Sequence, residues 1–491
     1  MKNVIIHGHF YQPPRENPWT GRIDEQPDAA PFHDWNERIH DECYAPNSAA
    51  SVTTEDGEQT FNNFERMSFN IGPTLMAWLQ TEHPETHERI VEADRRSIGR
   101  LGYGNAIAQG FHHTILPLSS ARDIRTQVRW GLADFRFRFG RRAEGFWLPE
   151  TAVNDAVLSI LIDEGIGFTI LSPHQAGLWR DSGGEWNAAN AEPIDTRVPY
   201  SYEHVDGSGR TIAVFFYDGD LAKEIAFENL GSSAERYLEA FTRRAGDEEK
   251  VVHAATDGET YGHHHKFSDL GLAFALFVEA GKQQVHVTNY AAWLAGHPPR
   301  HEVRLNPGPG TSWSCAHGIA RWMTDCGCST YGPEGWNQNW RAPLRAGLEV
   351  IRWAAEQTFE VLARSIFIDP WGARDRYVSV VTGEESLADF MEGETAGLAD
   401  EAALHRGEVL LEMQRYSMSM FTSCAWFFYD VSRIETVQIL RYAARTLRLM
   451  KEVGLPLPQE AYVPLLEEAA SNDPDEGNAA TILGSILAAT S

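Results

Sequence analysis

Carboxyl and imidazole side chains cluster in four short motifs of this sequence, each of which follows an apolar segment. The motifs are HGHFYQPP (residues 7–14), QGFHHTILPL (109–118), GFWLPE (145–150) and ATDGETYGHH (255–264). Each alone has a simpler explanation, because a Glu after a strand is often a solvated carboxylate and a histidine run is often a surface loop. Four such motifs at comparable places are harder to attribute to chance, and they indicate a catalytic or binding site.

The chemistry that fits best is cleavage of a glycosidic bond by two carboxyl groups. One carboxyl group protonates the leaving oxygen, and in a retaining enzyme the other attacks the anomeric carbon, with about 5 Å between the pair. The proton donor must keep its proton near neutral pH, so its pKa must be raised by burial or by nearby negative charge. Asp257 meets the second condition, because Glu259 follows two residues later and Glu150 is the candidate for the opposite carboxyl group.

These residues can meet only if the elements before them end at one edge of a sheet. Apolar segments of strand length alternate with amphipathic helical stretches, which predicts a parallel sheet, wound open or closed into a barrel. The predicted strands are 3–9, 103–109, 145–148, 167–171, 211–217, 251–256 and 285–288. The predicted helices between them include 121–139, 155–164, 232–244 and 267–280. In such folds ligands bind at the carboxyl ends of the strands, where the four motifs lie.

Two insertions and a change of pattern complete the predicted organisation. Residues 13–63 and 181–210 show little periodicity. The first is a long segment just after the first predicted strand, and long ordered loops are often functional. The second is a candidate hairpin. From residue 335 onward the predicted elements are helices, at 340–366, 386–395, 401–420 and 432–453. We therefore predict an α/β domain over residues 1–310 and a helical domain over residues 311–491 that packs against it.

Composition disfavours several classes of function. The 491 residues carry a net charge of −27, which disfavours nucleic acids and anionic membranes as partners and fits a neutral ligand such as a sugar. No run approaches the roughly 20 apolar residues of a membrane span, and the N-terminal segment is too short for a signal-peptide core. Five cysteines, a small and odd number, disfavour a secreted disulfide framework. We therefore expect a cytoplasmic protein.

In combination, the four motifs resemble the successive motifs of glycoside hydrolase family 57, in the same order and spacing. The segment SFNIGPTL (68–75) also resembles a segment of that family. The resemblance covers most of the first 310 or so residues, and it implies an incomplete (β/α)7 barrel followed by an α-helical domain. It further implies an α-glucan or maltooligosaccharide substrate and a retaining glycoside hydrolase or transglycosylase that needs no cofactor.

The resemblance also assigns roles to individual residues. The Glu that ends GFWLPE would be the nucleophile, here Glu150, and the Asp that opens DGE would be the acid/base, here Asp257. His264 stands where many relatives carry a tryptophan. Trp426 lies in a stretch that resembles a segment whose Trp reaches the cleft, and a plain packing role for it stays open. The predicted substrate-binding residues are His7, His9, Gln12, His112, Trp147, Glu259, His264 and Trp426.

A separate group of soft metal ligands follows in the second half of the chain: Cys315, His317, Cys326 and Cys328. These ligand types are compatible with zinc. Structural zinc sites usually space paired ligands by two or more residues, however, and here one residue separates each pair. Small buried thiols packed beside Trp313 and Trp322 are the simpler interpretation. The sequence therefore predicts no metal and leaves this group as an open question.

Other hypotheses also stay open. A metal-dependent deacetylase or similar hydrolase on a related barrel would take its ligands from His7, His9, His112 and Asp257. A non-catalytic glucan-binding protein would keep the cleft without turnover. The sequence also does not decide between hydrolysis, transfer and branching, because loops around the cleft determine whether water or a sugar hydroxyl reaches the glycosyl-enzyme.

Overall fold

The computed structural model describes residues 2–246, 250–395 and 400–490 of the chain. By its internal contacts the chain divides into two units. The first unit comprises Met1–Gln12, Glu25–Gln109 and Arg138–Trp313, and the second comprises Pro13–Asp24, Gly110–Phe137 and Ser314–Ser491. Neither unit is contiguous in sequence, whereas the sequence predicted a single boundary near residue 310.

The strands of the described residues all belong to the first unit, where they alternate with helices. They are β1 (Lys2–Phe10), β2 (Ala50–Thr54), β3 (Gly57–Phe61), β4 (Ser68–Ile71), β5 (Ala108–Gln109), β6 (Gly145–Trp147), β7 (Phe168–Leu171), β8 (Ala176–Asp181), β9 (Asn187–Ala188), β10 (Tyr200–Glu203), β11 (Thr211–Phe216), β12 (Val251–Asp257), β13 (Val285–Val287) and β14 (His301–Leu305). This alternation confirms the mixed α/β character predicted for this part of the chain.

The α-helices fall into two groups along the sequence. Those before residue 300 are α1 (Trp35–Ile39), α2 (Ala45–Ser48), α3 (Pro73–Glu82), α4 (Pro84–Leu101), α5 (Ala121–Phe139), α6 (Asp155–Asp163), α7 (Gly219–Phe227), α8 (Ala234–Thr242), α9 (Ser268–Phe274), α10 (Ala280–Lys282) and α11 (Tyr290–Gly296). Those after it are α12 (Arg341–Leu362), α13 (Pro370–Arg376), α14 (Val378–Thr382), α15 (Leu387–Thr395), α16 (Glu401–Ser419), α17 (Ile434–Glu452), α18 (Gln459–Glu468) and α19 (Ala479–Ala489). The predicted helical C-terminal region is thereby confirmed.

Seven strands of the first unit lie side by side in the order β12, β1, β4, β5, β6, β7, β11. Neighbours in this row run parallel, and a single bridge between Phe69 and Ala106 joins β4 to the residues just before β5. β13 pairs with the first residues of β1. Because parallel strands share one direction, their carboxyl ends meet at one edge, and side chains that follow them can converge.

The longest pairing in this row joins β1 to β12, from Asn3 opposite Val251 to His9 opposite Asp257. β1 can be central because its apolar residues are buried on both faces, as expected for a parallel strand covered on both sides. Side chains from several strands of the row form one buried cluster: Ile5, Ile107, Trp147, Phe168, Ile170, Phe215 and Val251. The backbone of β1 therefore fixes His9 beside Asp257.

The predicted strand 103–109 is shorter in the structure, where β5 is Ala108–Gln109. The residues before it have a single bridge to β4 and also hydrogen-bond to side chains of α4. Ser97 Oγ accepts from the Asn105 amide at 2.8 Å, and Asp94 Oδ1 accepts from the Ala106 amide at 2.8 Å. The apolar pattern alone could not reveal these side-chain partners.

Both predicted insertions contain regular structure. Within residues 13–63 lie α1, α2 and the antiparallel hairpin of β2 and β3. The segment around 181–210 contributes β9 and β10, which extend the sheet beyond β11 in the order β10, β14, β8, β9. The candidate hairpin at 181–210 is therefore split between two pairings, β8 with β9 and β10 with β11.

In the second unit, α12 packs against α16, α17 and α18, and α17 packs against α16 and α19. A buried ion pair links the start of α5 to α13, with 2.8 Å between Asp123 Oδ1 and Arg374 Nη1. Arg374 also donates to Gln414 of α16, so its charge is compensated within the core. In the described ranges no helix is both long and apolar enough to cross a membrane.

Candidate active site

His7 and His9 of β1 point to the same side of the strand, because side chains two residues apart share a face. Both imidazole rings stack on the indole of Trp147 at the end of β6, with centroid distances of 4.9 and 5.1 Å. All three side chains are buried. Two strand ends are thus joined by an aromatic stack at the edge where the carboxyl ends meet.

Asn70 of β4 bridges the two histidines and sets their tautomers. Its Oδ1 lies 3.0 Å from His7 Nε2, and its Nδ2 lies 2.8 Å from His9 Nδ1. Since an amide oxygen accepts and an amide nitrogen donates, His7 is protonated at Nε2 and His9 accepts at Nδ1. Burial lowers the pKa of His7 to about 3, so this ring is neutral. His7 Nδ1 lies 3.1 Å from Ser68 Oγ, which leaves neither nitrogen of that ring available to a metal.

Glu150 follows β6 in a strained turn. Its φ is +58° and that of Thr151 is +47°, a left-handed conformation that costs non-glycine residues roughly 1–2 kcal/mol each. Gln175 holds the turn, because it exchanges hydrogen bonds with the Thr151 hydroxyl at 2.9 Å and carbonyl at 2.8 Å. Such strain persists where the surroundings enforce it, and it is frequent at active sites. Here it determines the direction of the Glu150 carboxylate.

Trp313 holds the Glu150 carboxylate in place. Its indole Nε1 donates to Glu150 Oε2 at 3.0 Å, and its backbone amide donates to the Glu150 carbonyl at 3.1 Å. The indole packs edge-on against Trp147 and Tyr217, with centroid distances of 5.1 and 6.4 Å. A hydrogen bond donated to a carboxylate stabilises its ionised form, which is the form that a nucleophile requires.

Glu259 lies buried just beyond β12 in a shell of hydrogen-bond donors. Its Oε1 accepts from the Tyr44 hydroxyl at 2.6 Å and from the Tyr11 amide at 3.1 Å, and Gln12 donates to the same carboxyl group. Burial raises the pKa of Glu259 to about 7, although these hydrogen bonds act in the opposite direction. Hydrogen bonds from the protein therefore hold Oε1 of this carboxyl group in place.

Asp257 ends β12 and differs from Glu259 because its side chain is exposed. Enough protein surrounds the carboxyl group that loss of hydration raises the pKa of Asp257 well above its ordinary range. The negative charges of Glu259 and Glu150 raise it further. Glu150 is thus close enough to Asp257 to act on it electrostatically, and Asp257 is the carboxyl group of β12 that can both keep a proton and reach a ligand.

The other predicted site residues lie in different surroundings. His264 is exposed two residues after Gly262. Partial loss of hydration, followed by the charges of His263 and His265, lowers its pKa to about 4. His112 belongs to the second unit, where Gln127 hydrogen-bonds both its amide and its Nδ1 at 2.8 Å. The structure therefore brings His7, His9, Trp147 and Glu259 together within the first unit, and within the second unit Gln127 holds His112.

Trp426 is fully buried in the second unit. Its indole Nε1 donates to the Arg341 carbonyl at 3.2 Å, and the Arg345 guanidinium lies 4.8 Å from the ring centroid. Its ring also stacks parallel to that of Phe421. Of the two roles that the sequence left open for Trp426, these contacts favour packing in the helical unit.

Several site residues were missed by the sequence interpretation, although two of them carried a signal. Asn70 lies in SFNIGPTL, and Tyr217 directly follows β11, a parallel strand like those that supply the other site residues. Tyr217 is buried, and burial raises its pKa to about 12. A hydrogen bond with Ser172 acts against this shift, and the charge of Asp257 adds to it. Tyr44 ends a short π-helical turn between α1 and α2, and Trp313 lies in an irregular segment; no local sequence pattern indicates either contact.

Within the described ranges, two groups of side chains have the convergence that a metal ion requires. One is Cys315, His317, Cys326 and Cys328, and the other is Glu37, His40 and His83. Neither group contains the ligands of the deacetylase hypothesis, His7, His9, His112 and Asp257. His7 is not available as a ligand, because both of its ring nitrogens are hydrogen-bonded within the protein.

Two sequence profiles and several relatives match this chain. The sequence profile described as glycosyl hydrolase family 57 matches residues 8–305, and that of a domain of unknown function (DUF3536) matches residues 336–489. An α-amylase of Pyrococcus furiosus is 26% identical over 226 residues, which are 46% of this chain and 30% of that protein. A 4-α-glucanotransferase of Thermococcus litoralis is 24% identical over 255 residues, 50% of this chain and 35% of that protein. The chain thus spans about a third of the length of these curated relatives.

Solved structures show the same fold at low sequence identity. An exo-type maltose-forming amylase from Pyrococcus sp. ST04 superposes with a TM-score of 0.69 at 15% identity, over 99% of this chain and 88% of that one. A GH57-type branching enzyme from Pyrococcus horikoshii superposes with a TM-score of 0.59 at 15% identity, over 95% and 94%. Because the family profile covers more than half of the chain, the match is decisive: this chain belongs to glycosyl hydrolase family 57.

Proposed function

We propose that this protein is a retaining glycoside hydrolase or transglycosylase that acts on α-glucans, with Glu150 as nucleophile and Asp257 as acid/base. The observation that carries the proposal is the electrostatic coupling of these two carboxyl groups at the ends of β6 and β12. The α-amylase and 4-α-glucanotransferase relatives support the substrate class. A neutral glucan also suits a protein with a net charge of −27.

The reaction would proceed in two steps. Protonated Asp257 donates its proton to the glycosidic oxygen while the Glu150 carboxylate attacks the anomeric carbon, so that the leaving sugar departs and a glycosyl ester forms on Glu150. Asp257, now a carboxylate, then takes a proton from water or from a sugar hydroxyl, which attacks the anomeric carbon and releases Glu150. Water gives hydrolysis, and a sugar hydroxyl gives transfer or branching.

The strand order supports an incomplete (β/α)7 barrel as the catalytic fold. The row β12, β1, β4, β5, β6, β7, β11 follows chain order except that β12 precedes β1, as in a barrel that stays open between β11 and β12. We place this barrel in residues 1–310 and the helical domain in residues 311–491. The cytoplasmic location stays a prediction.

For substrate binding we propose the aromatic stack and the groups around it. His9 and Trp147 present rings, and Glu259 and Gln12 present polar groups, which are the two kinds of contact that sugar rings and hydroxyl groups use. His7 supports His9 through Asn70. His264 is exposed and available for contact, whereas His112 and Trp426 stay predictions as substrate contacts.

Azide rescue tests the two catalytic roles separately. With an aryl α-glucoside, Glu150→Ala and Asp257→Ala should each lose about 1,000-fold or more in turnover. Added azide can replace the missing Glu150 and attack the substrate directly, which gives the β-glucosyl azide. In Asp257→Ala it attacks the glycosyl-enzyme instead, which gives the α-glucosyl azide. NMR of the product distinguishes the two anomers.

Asp218→Asn is the matched control for these variants. Asp218 also follows a parallel strand, β11, but its carboxylate caps α7 by accepting from the Leu221 amide at 2.9 Å and lies 3.4 Å from Arg244. Asparagine keeps the cap, so this variant should retain most activity. Wild-type turnover in Glu150→Ala, or the same azide anomer from both alanine variants, would contradict the assignment.

A further inference from the structure

Three cysteines and one histidine converge on one point in the second unit. Cys315 Sγ lies 3.8 Å from Cys326 Sγ and 4.0 Å from Cys328 Sγ, and Cys328 Sγ lies 3.6 Å from His317 Nδ1. All four ligand atoms lie within 4.8 Å of one another. The three thiols are free, since none of the five cysteines forms a disulfide.

These distances match the edges of a zinc tetrahedron. With Zn–S bonds of about 2.3 Å and Zn–N bonds of about 2.0 Å, a tetrahedral ion separates two sulfurs by roughly 3.8 Å and a sulfur from a nitrogen by roughly 3.5 Å. The three distances above depart from these values by a few tenths of an ångström. Thiols packed only for burial have no reason to share a centre with an imidazole nitrogen.

Gly327 allows the close spacing of Cys326 and Cys328. Its φ is +80°, a left-handed conformation that glycine adopts without strain, and it turns the backbone between the two cysteines. Asp325 fixes the same turn, because its Oδ1 accepts from the Gly327 amide at 2.9 Å. The one-residue spacing that disfavoured a metal site in sequence is thus accommodated by this turn.

The segment that carries the four ligands contains little regular secondary structure to stabilise it. Between the end of β14 at Leu305 and the start of α12 at Arg341, the chain has a single short 3₁₀ turn at Ala320–Trp322. Ordered segments of this length without regular structure are uncommon in compact domains. The buried Arg341 donates to the Cys328 carbonyl at 2.7 Å and so ties the ligand turn to α12.

We propose that Cys315, His317, Cys326 and Cys328 bind one Zn²⁺ as a structural site, with His317 coordinating through Nδ1. Three thiolates and an imidazole are a soft ligand set that favours zinc over calcium or magnesium. Four protein ligands fill a tetrahedron and leave no position for water or substrate, which is the property of a structural site. Cys326 and Cys328 are partly exposed and His317 is exposed, so zinc can enter from solvent.

Metal content and cobalt substitution test the site directly in the full chain. The purified protein, supplied with Zn²⁺ under reducing conditions and then desalted, should retain about one zinc per chain. Co²⁺ added after chelation should give the intense d–d bands and the thiolate charge-transfer band of a tetrahedral sulfur-rich site. Wild-type protein that binds no zinc, or a cobalt spectrum without thiolate bands, would overturn the proposal.

Serine variants locate the ligands, and Cys424→Ser is the matched control from the same unit. Cys326→Ser and Cys328→Ser should each weaken zinc binding at least tenfold, and Cys424→Ser should bind as the wild type does. If a ligand variant does not fold, thiol alkylation of the wild type provides the answer. Zinc should protect Cys315, Cys326 and Cys328 from alkylation and leave Cys424 unaffected, and equal protection of all of these would contradict the assignment.

Discussion

At the scale of single residues, the chemistry depends on how the protein treats three carboxyl groups differently. Glu150 receives a hydrogen bond from Trp313, Glu259 is buried among donors, and Asp257 is exposed beside both negative charges. Pairs of titratable groups whose surroundings separate their pKa values mark the acid and the base of a site. Asp257 keeps its proton mainly because it loses hydration, and the charges of Glu259 and Glu150 raise its pKa further, so altering a neighbour should alter its titration.

Glu259→Gln should move the alkaline limb of the pH–activity profile to lower pH. The substitution removes a negative charge that raises the pKa of Asp257, so Asp257 would lose its proton at lower pH and acid catalysis would fail earlier. We expect the alkaline limb of kcat/KM to move to lower pH, in addition to a loss of activity at the optimum. The measurement is kcat/KM for an aryl α-glucoside between pH 4 and pH 9.

Glu302→Gln is the control for this shift, because Glu302 lies on β14 and pairs with Arg180 at 2.5 Å, outside the groups that act on Asp257. Its profile should coincide with that of the wild type. An alkaline limb that stays in place in Glu259→Gln would show that Glu259 does not control the proton of Asp257.

At the scale of elements, the pairing of β1 with β12 positions the acid/base. Gly258 lies between Asp257 and Glu259, directly over the buried ring of Phe10. A Cβ added at Gly258 would lie 2.4 Å from two ring carbons of Phe10, far inside van der Waals contact. The backbone at the end of β12 can therefore pass this close to the Phe10 ring of β1 only with glycine at this position.

Gly258→Ala should impair both stability and activity. Overpacking of this kind costs typically 1–3 kcal/mol, and relief of the clash would displace the two flanking carboxyl groups. We expect a fall of several degrees in Tm and at least a tenfold loss of kcat. Gly281→Ala, on a helix with open space around the added Cβ, should leave both quantities near wild type. A fully active Gly258→Ala variant would show that the strand end tolerates movement.

The sequence predicted strands well where the signal is local. An apolar run such as Val4-Ile5-Ile6 indicates a buried strand, and the residues at its end indicate the site. Trp313 and Tyr44 escaped notice because their roles depend on long-range contacts, to Glu150 and to Glu259, made by segments without periodicity. The zinc ligands were visible in sequence, but the turn at Gly327 that lets them converge was not.

At the scale of the whole molecule, buried neutral histidines should make the fold sensitive to acid. Burial is the largest cause of a pKa of about 3 for His7, His112 and His113 and of about 4 for His253. The unfolded chain, with ordinary pKa values of about 6.5, takes up protons that these folded histidines do not. Stability should therefore fall as pH decreases from about 6.5 towards 4.

The expected result is a Tm that falls by several degrees between pH 7 and pH 5, measured by thermal unfolding in matched ionic strength. Each histidine with a folded pKa near 3 contributes a loss of about 2 kcal/mol at pH 5. The carboxyl groups with raised pKa values, Asp257 and Glu259 among them, act in the opposite direction, but the histidines with lowered pKa values outnumber them. His253→Gln should reduce the dependence. A Tm that is constant or higher at pH 5 would contradict this account.

The most direct test of the central claim is to trap the glycosyl-enzyme and locate it by mass spectrometry. A 5-fluoro-α-glucosyl or maltosyl fluoride forms the ester quickly and releases it slowly, because the fluorine destabilises the oxocarbenium-like transition state while the good leaving group speeds the first step. We predict a single glycosyl adduct on the peptide that contains Glu150, and none with Glu150→Gln. An adduct on any other carboxyl group, Asp257 and Glu259 included, would contradict the account.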